Sequence, residues 1–307
     1  MRSGAGNLLS VALVIWGVIS LVFFLIHLVP GDPVEAMLGE SARPADREAL
    51  RHALKLDLPI ATQYANYLSS LRGLDLGESI SQRRPVAEVI SERLPATLVL
   101  AMASIAVAVM LAAPLGLMAA WKRGGVIDQG ASLISVLGVA IPNFALGPVL
   151  VLILALGTGW FPVSGWESPL SLVLPALTLG SGLAAVLARM LRSSLLEVLH
   201  EDYMRTARAK GLGRFQAMLG HGLRNAMLPV LTLLGIQLGA VLGGAVVTET
   251  VFDWPGLGRL TIEAIEGRDY PLVQGCVLVI AVIYVLVNLT TDLLYRLVDP
   301  RIRRAMN

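Results

Sequence analysis

Six stretches of this chain lack Asp, Glu, Lys and Arg and are long enough to cross a bilayer. They lie between Arg2 and Asp32 and over 94–121, 129–166, 168–188, 225–248 and 270–291. A charge at the bilayer centre costs about 2.5–3.5 kcal/mol on insertion scales, and a helix needs about 20 apolar residues to cross roughly 30 Å of hydrocarbon. Charged residues make up 15% of the chain, against about 25% in soluble domains. An all-α, polytopic membrane protein is therefore expected, with six transmembrane helices at about 8–29, 97–120, 130–156, 170–190, 228–249 and 272–295. The long third stretch breaks after about Leu156 at Gly157, Gly159, Pro162 and Gly165, where Trp160 and Trp166 suit an interfacial belt. The first apolar run, Leu8 to Val29, exceeds the 7–15 residues of a signal-peptide core. It leads into Pro30-Gly31-Asp32-Pro33 rather than a small-residue cleavage site, so an uncleaved helix is expected.

Six spans put both termini on one side. With the termini cytoplasmic, the inside segments hold 14 basic and six acidic residues, and the outside segments hold 10 basic and 16 acidic. The short loops all follow the positive-inside rule. The first outside segment, 32–93, carries eight of the outside basic residues but has the length at which the rule weakens. Cytoplasmic termini are expected.

No ionisable residue stands near the middle of a span, and His27 lies close to a span end. A proton-coupled pump needs buried relays, so the energy for transport must come from elsewhere. The only lysines are Lys55, Lys122 and Lys210, and none follows a glycine as a phosphate-cradling loop requires. An intramembrane metalloprotease needs His-Glu-x-x-His, which is absent. A serine protease has one candidate, Ser181, but no histidine in the last two spans, and His200 and His221 are cytoplasmic. Small residues from Gly180 to Ala185 instead suit close helix packing. The lone Cys276 sits in an apolar run and has no metal-ligand spacing around it. A passive channel and an intramembrane protease stay as the alternatives to a transporter subunit.

Between spans four and five, Glu201 and Asp202 stand at the front of a short helical run, and Arg208 and Lys210 at its back. That order complements the helix dipole, and Gly211 supplies a stop. A second run, Arg214 to Ala226, precedes Pro229, which is read as opening span five. Two readings fit this composition equally: short levers tethered between spans, or a basic amphipathic segment on anionic headgroups.

The residue order adds a resemblance. Arg205-Thr206-Ala207-Arg208-Ala209-Lys210-Gly211, then Leu223-Arg224-Asn225-Ala226 and Leu228-Pro229, resembles the EAA loop of binding-protein-dependent ABC importer permeases, in the oligopeptide/dipeptide/nickel branch. Arg205-Thr206-Ala207 replace the leading Glu-Ala-Ala of the general pattern, and the distance from Gly211 to Pro229 is longer; both departures are usual in that branch. Further matches run along the chain: Leu28 to Pro33, Gly73 to Ser79, Arg84-Pro85-Val86, Arg93 to Thr97, Glu249 to Gly258, and Arg268 to Pro271.

The resemblance implies a type I importer transmembrane domain forming half of a translocation pathway. Its parts are an N-terminal transmembrane helix (1–31), a small helical extracytoplasmic insertion (32–93), a transmembrane core (94–296) and a cytoplasmic tail (297–307). A coupling helix at about 198–213, with Tyr203, Arg205, Thr206, Ala207, Arg208, Ala209, Lys210 and Gly211, would dock on an ATPase. Implied partners are a second homologous permease, two cytoplasmic ABC ATPase subunits carrying the ATP and Mg, an extracytoplasmic substrate-binding protein and the bacterial inner-membrane bilayer. No cofactor, metal or nucleic acid is implied for this chain. Di- or oligopeptides are the implied solutes, with glutathione and nickel chelates also served by the branch.

Outside the membrane, Pro44 to Lys55 reads as a helix with Leu50, Ala53 and Leu54 on one face. Ile60, Tyr64, Tyr67, Leu68 and Leu71 repeat at helical spacing before Gly73. This segment is read either as a seat for the binding protein or as a lid on the first two spans. The loop 250–271 sets Asp253, Trp254, Pro255 and Gly256 with Asp269 and Tyr270, and is read either as an aromatic tip for a docked partner or substrate or as an interfacial anchor. Pro114, Pro142, Pro148 and Pro175 can kink spans, and Asn143 and Gln237 are amides that fit either the pathway or interhelical hydrogen bonding.

Overall fold

The structure, a computed structural model, describes residues 4–28, 34, 43–53 and 56–298. Chain order begins with α1 (Gly4–Leu28), α2 (Pro44–Ala53), α3 (Ile60–Arg72) and α4 (Val86–Trp121). Then come α5 (Val126–Ala140), α6 (Asn143–Leu150) and a π-helical continuation, Val151–Leu156. A 3₁₀ turn, Pro169–Leu172, leads into α7 (Val173–Val198), which is followed by α8 (Asp202–Ala209) and α9 (Arg214–Ala217). A π turn, Met218–Gly222, runs into α10 (Leu223–Val251), and α11 (Leu257–Glu266) and α12 (Tyr270–Val298) complete the order. Among the described residues the only β pairing is one isolated bridge, Glu78 with Pro85. The exit motif at 29–33, Leu54, Lys55 and the tail from 299 lie outside the described residues.

Four described helical segments are long and apolar enough to span a bilayer: Val86–Trp121, Pro169–Val198, Arg214–Val241 and Tyr270–Thr291. A fifth, α5 with α6 and its π continuation, counts if the bent pair is one span. The apolar stretch found in α1, Ala12–Phe24, is shorter. Two expectations are corrected here. The third span is not one rod over 130–156, because its two halves meet at 106°. Pro142 forces Ile141 out of the helical region to φ −87°, ψ 115°, since the proline ring clashes with an α-conformed predecessor. Pro229 does not open a span but lies inside α10, which is joined to α9 through the π turn.

The chain divides into two compact units. The first comprises 1–96 and 256–285. Within it Val86, Val89 and Ile90 of α4 pack with Leu257, Leu260 and Ala264 of α11 and with Leu272 and Cys276 of α12. The α3 face predicted from spacing packs against α1: Phe23 lies 5.1 Å from the Tyr64 ring and 5.7 Å from the Tyr67 ring, and Ser20 hydrogen-bonds the Tyr64 hydroxyl at 2.6 Å. Burial pushes the Tyr67 phenol up to about 12, with help from neighbouring Tyr64.

The second unit comprises 97–255 and 286–307. Helix α7 is its axis, packed along α10, α5 and α6. Lipid gives helices no hydrophobic drive to associate, so close packing of small residues must do the work. A Cβ added at Gly180 would stand 2.5 Å from the Ser104 carbonyl oxygen, and one at Gly138 would stand 2.9 Å from the Ala185 methyl. Ser181 is not activated: its hydroxyl donates to the Thr178 carbonyl at 3.1 Å.

Candidate functional site

Helix α8 starts after Glu201, which has extended geometry, and ends on Lys210. Gly211 follows at φ +92°. Its N–H donates to the Arg208 carbonyl and the Leu212 N–H to the Ala207 carbonyl, the paired closure of a Schellman motif. The glycine is needed because a Cβ at this φ meets the following carbonyl.

The predicted site residues divide by burial. Ala207 is buried, and with Met204 and Ala217 it forms a small core over Val198 and Leu199. Tyr203, Arg205, Thr206, Arg208, Ala209, Lys210 and Gly211 are exposed. Arg205 faces Asp202 at 3.3 Å, and the Thr206 hydroxyl donates to the Asp202 carbonyl. The Asn225 amide, at the start of α10, donates to the Tyr203 hydroxyl at 2.8 Å. A helix of eight residues is thus tied to α7 by apolar packing and to α10 by one hydrogen bond.

Sequence reasoning missed a second tie at the same end of the unit. Arg192 of α7 donates from Nε to Asp128 Oδ1 at 2.5 Å and from Nη2 to Oδ2 at 2.7 Å. The Gly124 N–H donates to Oδ2 at 2.9 Å, where Gly124 has φ +78°. The pair clamps the α4–α5 turn to α7. Its 64-residue separation hid it; the signal was an acid at the edge of one charge-free stretch and an arginine just beyond the end of another.

The 250–271 loop, read above either as an aromatic tip or as an interfacial anchor, does not hold its tryptophan out as a tip would. Asp253, at φ +54°, is exposed, but Trp254 is 1% exposed. Its indole meets Trp166 edge-on at 4.6 Å, and the Trp254 backbone N–H donates to the Glu249 carbonyl at 2.8 Å. The Glu249 carboxylate is buried and accepts from the Thr97 hydroxyl at 2.6 Å. Trp254 is therefore a packing residue in this chain rather than a protruding probe. The chain passes from the second unit to the first between Pro255 and Gly256, the N-cap of α11.

Asp269 is likewise buried, at 0% exposure. Oδ2 accepts from the Ser79 hydroxyl at 2.6 Å, the Ser81 hydroxyl at 2.7 Å and the Ser81 N–H at 2.9 Å. Oδ1 accepts from the Leu272 N–H at 3.2 Å, which caps α12. Burial raises its pKa, but these donors outweigh burial and hold the carboxyl below its ordinary range. Tyr270, beside it, is half-buried, and its hydroxyl is buried without a hydrogen-bond partner. Among the described residues no group of three or more His, Cys, Asp and Glu could hold a metal.

These features match a known family across the chain. Residues 112–304 match the binding-protein-dependent transport system inner membrane component, and residues 7–101 match the N-terminal region of such membrane components. The chain belongs to this family. This permease is 44% identical to the glutathione transport system permease protein GsiC of Pectobacterium atrosepticum, over 286 residues covering 93% of this chain and 94% of that one. It is 44% identical to the Escherichia coli protein of the same name, over 283 residues and 92% of each chain. Among solved structures it resembles inward-facing MetNI methionine ABC transporter, with a TM-score of 0.59 and 19% identity, over 69% of this permease and 96% of that chain. At that identity the likeness speaks for the fold alone. The protein is a permease subunit of a bacterial inner-membrane ABC importer and is not itself the ATPase.

Proposed function

We propose that this permease forms half of the pathway of an importer for glutathione-like or other short peptides, paired with a second permease. It crosses the membrane six times with both termini in the cytoplasm, α1 and the bent α5–α6 pair each making one crossing. Helix α8 is its coupling helix, docking on one of two ATPase subunits that hold ATP and Mg; the permease itself binds no cofactor. An external binding protein delivers the solute. Asp269 and Trp254 act as supports that set the shape of the external loops, with Asp253 the exposed member of the set.

The observation that carries this reading is α8 itself. It is a short helix with an exposed polar face, and its buried face and Asn225 bond join it to α7 and α10. Movement imposed on α8 passes to both helices through those contacts. The match to glutathione transport permeases over 93% of this chain supports the solute class.

The test is copurification of the complex in mild detergent, followed by uptake of labelled glutathione, dipeptides and oligopeptides in proteoliposomes. An Arg205→Glu, Lys210→Glu variant is expected to keep the second permease and lose the ATPases. A wild type that binds no ATPase at any salt concentration would overturn the coupling role. Uptake of none of these solutes by an intact complex would overturn the solute class.

A further inference from the structure

Beside α8 the second unit holds a hollow of about 160 Å³. It is lined by Arg123, His200, Arg208 and Arg214 together with Leu196, Leu199 and Met204. No acidic residue lines it. Arg192, close by in sequence, is engaged by Asp128; Arg123 feels the same carboxylate at longer range without pairing with it, and Arg208 and Arg214 enter no salt bridge among the described residues. His200 is held with Nδ1 2.6 Å from the Leu196 carbonyl. A carbonyl only accepts, so Nδ1 carries the proton and Nε2 is left for another partner. Three guanidiniums line one hollow whose walls hold no carboxylate, and they repel one another unless an anion sits among them.

The size and surroundings of the hollow narrow the anion. Whole drug-sized ligands occupy roughly 300–1,000 Å³, so this volume takes a charged group rather than a complete solute. Trp121, at the α4 end next to it, meets Phe215 of α9; both are exposed and their ring centroids are 5.1 Å apart. Lys122 sits over the Trp121 ring at 5.3 Å. Exposed indole with lysine at the end of an apolar helix marks the headgroup level of a bilayer, and basic pockets there bind anionic headgroups. The guanidinium fork matches phosphate oxygens in pairs.

We propose that this hollow holds the phosphodiester headgroup of an anionic phospholipid of the cytoplasmic leaflet, with its chains running along the Trp121–Phe215 pair. The assignment rests on the topology proposed above, which puts α8 in the cytoplasm. The lipid bridges the α4–α5 turn, the end of α7 and α8, so its presence steadies the coupling helix. The arginines at 123 and 214 lie outside α8 and are separate from its exposed docking residues.

The test uses the whole purified complex. Native mass spectrometry with phosphatidylglycerol compares wild type with an Arg123→Gln, Arg214→Gln variant. Uptake and ATP hydrolysis are then measured in neutral phosphatidylcholine vesicles, with and without phosphatidylglycerol. The expected result is lipid retained by wild type and weakened about fivefold per arginine removed, with stimulation by phosphatidylglycerol lost in the variant and activity in neutral vesicles unchanged. Equal lipid retention by both proteins overturns the proposal. A variant equally impaired in neutral vesicles also overturns it and places the arginines at the ATPase contact. If inorganic phosphate in neutral vesicles reproduces the stimulation, the lipid source is wrong and the anion is free phosphate. Lipid retention is read without transport, so a complex inactive in every vesicle counts against the importer reading and not against the site.

Discussion

The Asn225 amide donates to the Tyr203 hydroxyl at 2.8 Å, joining the eight-residue helix α8 to the first turn of α10. Both residues are exposed, so the bond competes with water and contributes about 0.5–1.5 kcal/mol at most. Its value is geometric. Tyr203→Phe is expected to leave complex assembly and thermal stability near wild type while lowering solute imported per ATP hydrolysed. Measuring uptake and phosphate release in the same proteoliposomes checks this, and an unchanged ratio removes Tyr203 from the coupling path.

Gly211 makes a separate demand. At φ +92° any side chain is strained whatever the space around it, at about 1–2 kcal/mol. Gly211→Ala is expected to lower thermal stability by that amount and fray the end of α8. Gly213→Ala is the control, because its φ is −61° and an added Cβ meets only Gln216 Oε1, at 3.6 Å. Similar melting temperatures for the two variants would show that the left-handed turn is not required.

The clamp between Asp128 and Arg192 is two-pronged, but the Arg192 side chain is 31% exposed. Removing one member of a fully buried pair costs about 3–5 kcal/mol; here water screens part of the loss, and about 1–3 kcal/mol is expected. Arg192→Gln and Asp128→Asn should each destabilise, and the double variant should cost less than their sum. Additive losses in that double-mutant cycle would show that the two side chains act independently.

Charge depletion alone was enough to read the membrane class, because the bilayer penalises every ionised residue in a helix centre. Helix α8 was legible for a similar reason: acids, bases and Gly211 are ordered as a helix dipole and its stop require. The bend at Ile141–Pro142 was not, since neighbouring helices let many membrane helices tolerate proline without turning through 106°. Trp254 and Asp269 read only as loop residues, for a partner or for the interface, because polarity and aromaticity are local, whereas their partners are not. Ser79 lies 190 residues from Asp269, and Trp166 meets Trp254 across the second unit. Pairings over such distances leave no periodic trace in one sequence.

Asp269 gives a pH prediction. Its folded-state pKa is depressed, while an unfolded Asp titrates near 3.9. Its stabilisation is therefore complete above about pH 5 and is lost as the pH falls through 3.9 and then the folded value. Thermal unfolding of the purified permease is expected to weaken over that acidic window, and an Asp269→Asn variant to show a flatter profile there. The variant should also lose about 2–4 kcal/mol at neutral pH, because donors placed for a carboxylate meet a neutral amide. Parallel profiles for wild type and variant would remove Asp269 as the acid-sensitive group.

Helix α7 supplies the most direct test of how the second unit holds together. Gly180 and Gly182 stand two residues apart in one apolar run, and composition does not distinguish them. The packing does: a Cβ at Gly180 would meet backbone, the Ser104 carbonyl oxygen at 2.5 Å, whereas one at Gly182 finds nothing closer than 3.6 Å. Backbone on a neighbouring helix cannot rotate away as a side chain can, so α4 and α7 must separate. Overpacking of this kind typically costs about 1–3 kcal/mol. Gly180→Ala is therefore expected to reduce the folded yield in membranes and lower the melting temperature in detergent, and Gly182→Ala to match wild type. Equal tolerance at both positions would mean that α4 and α7 are not in van der Waals contact through Gly180.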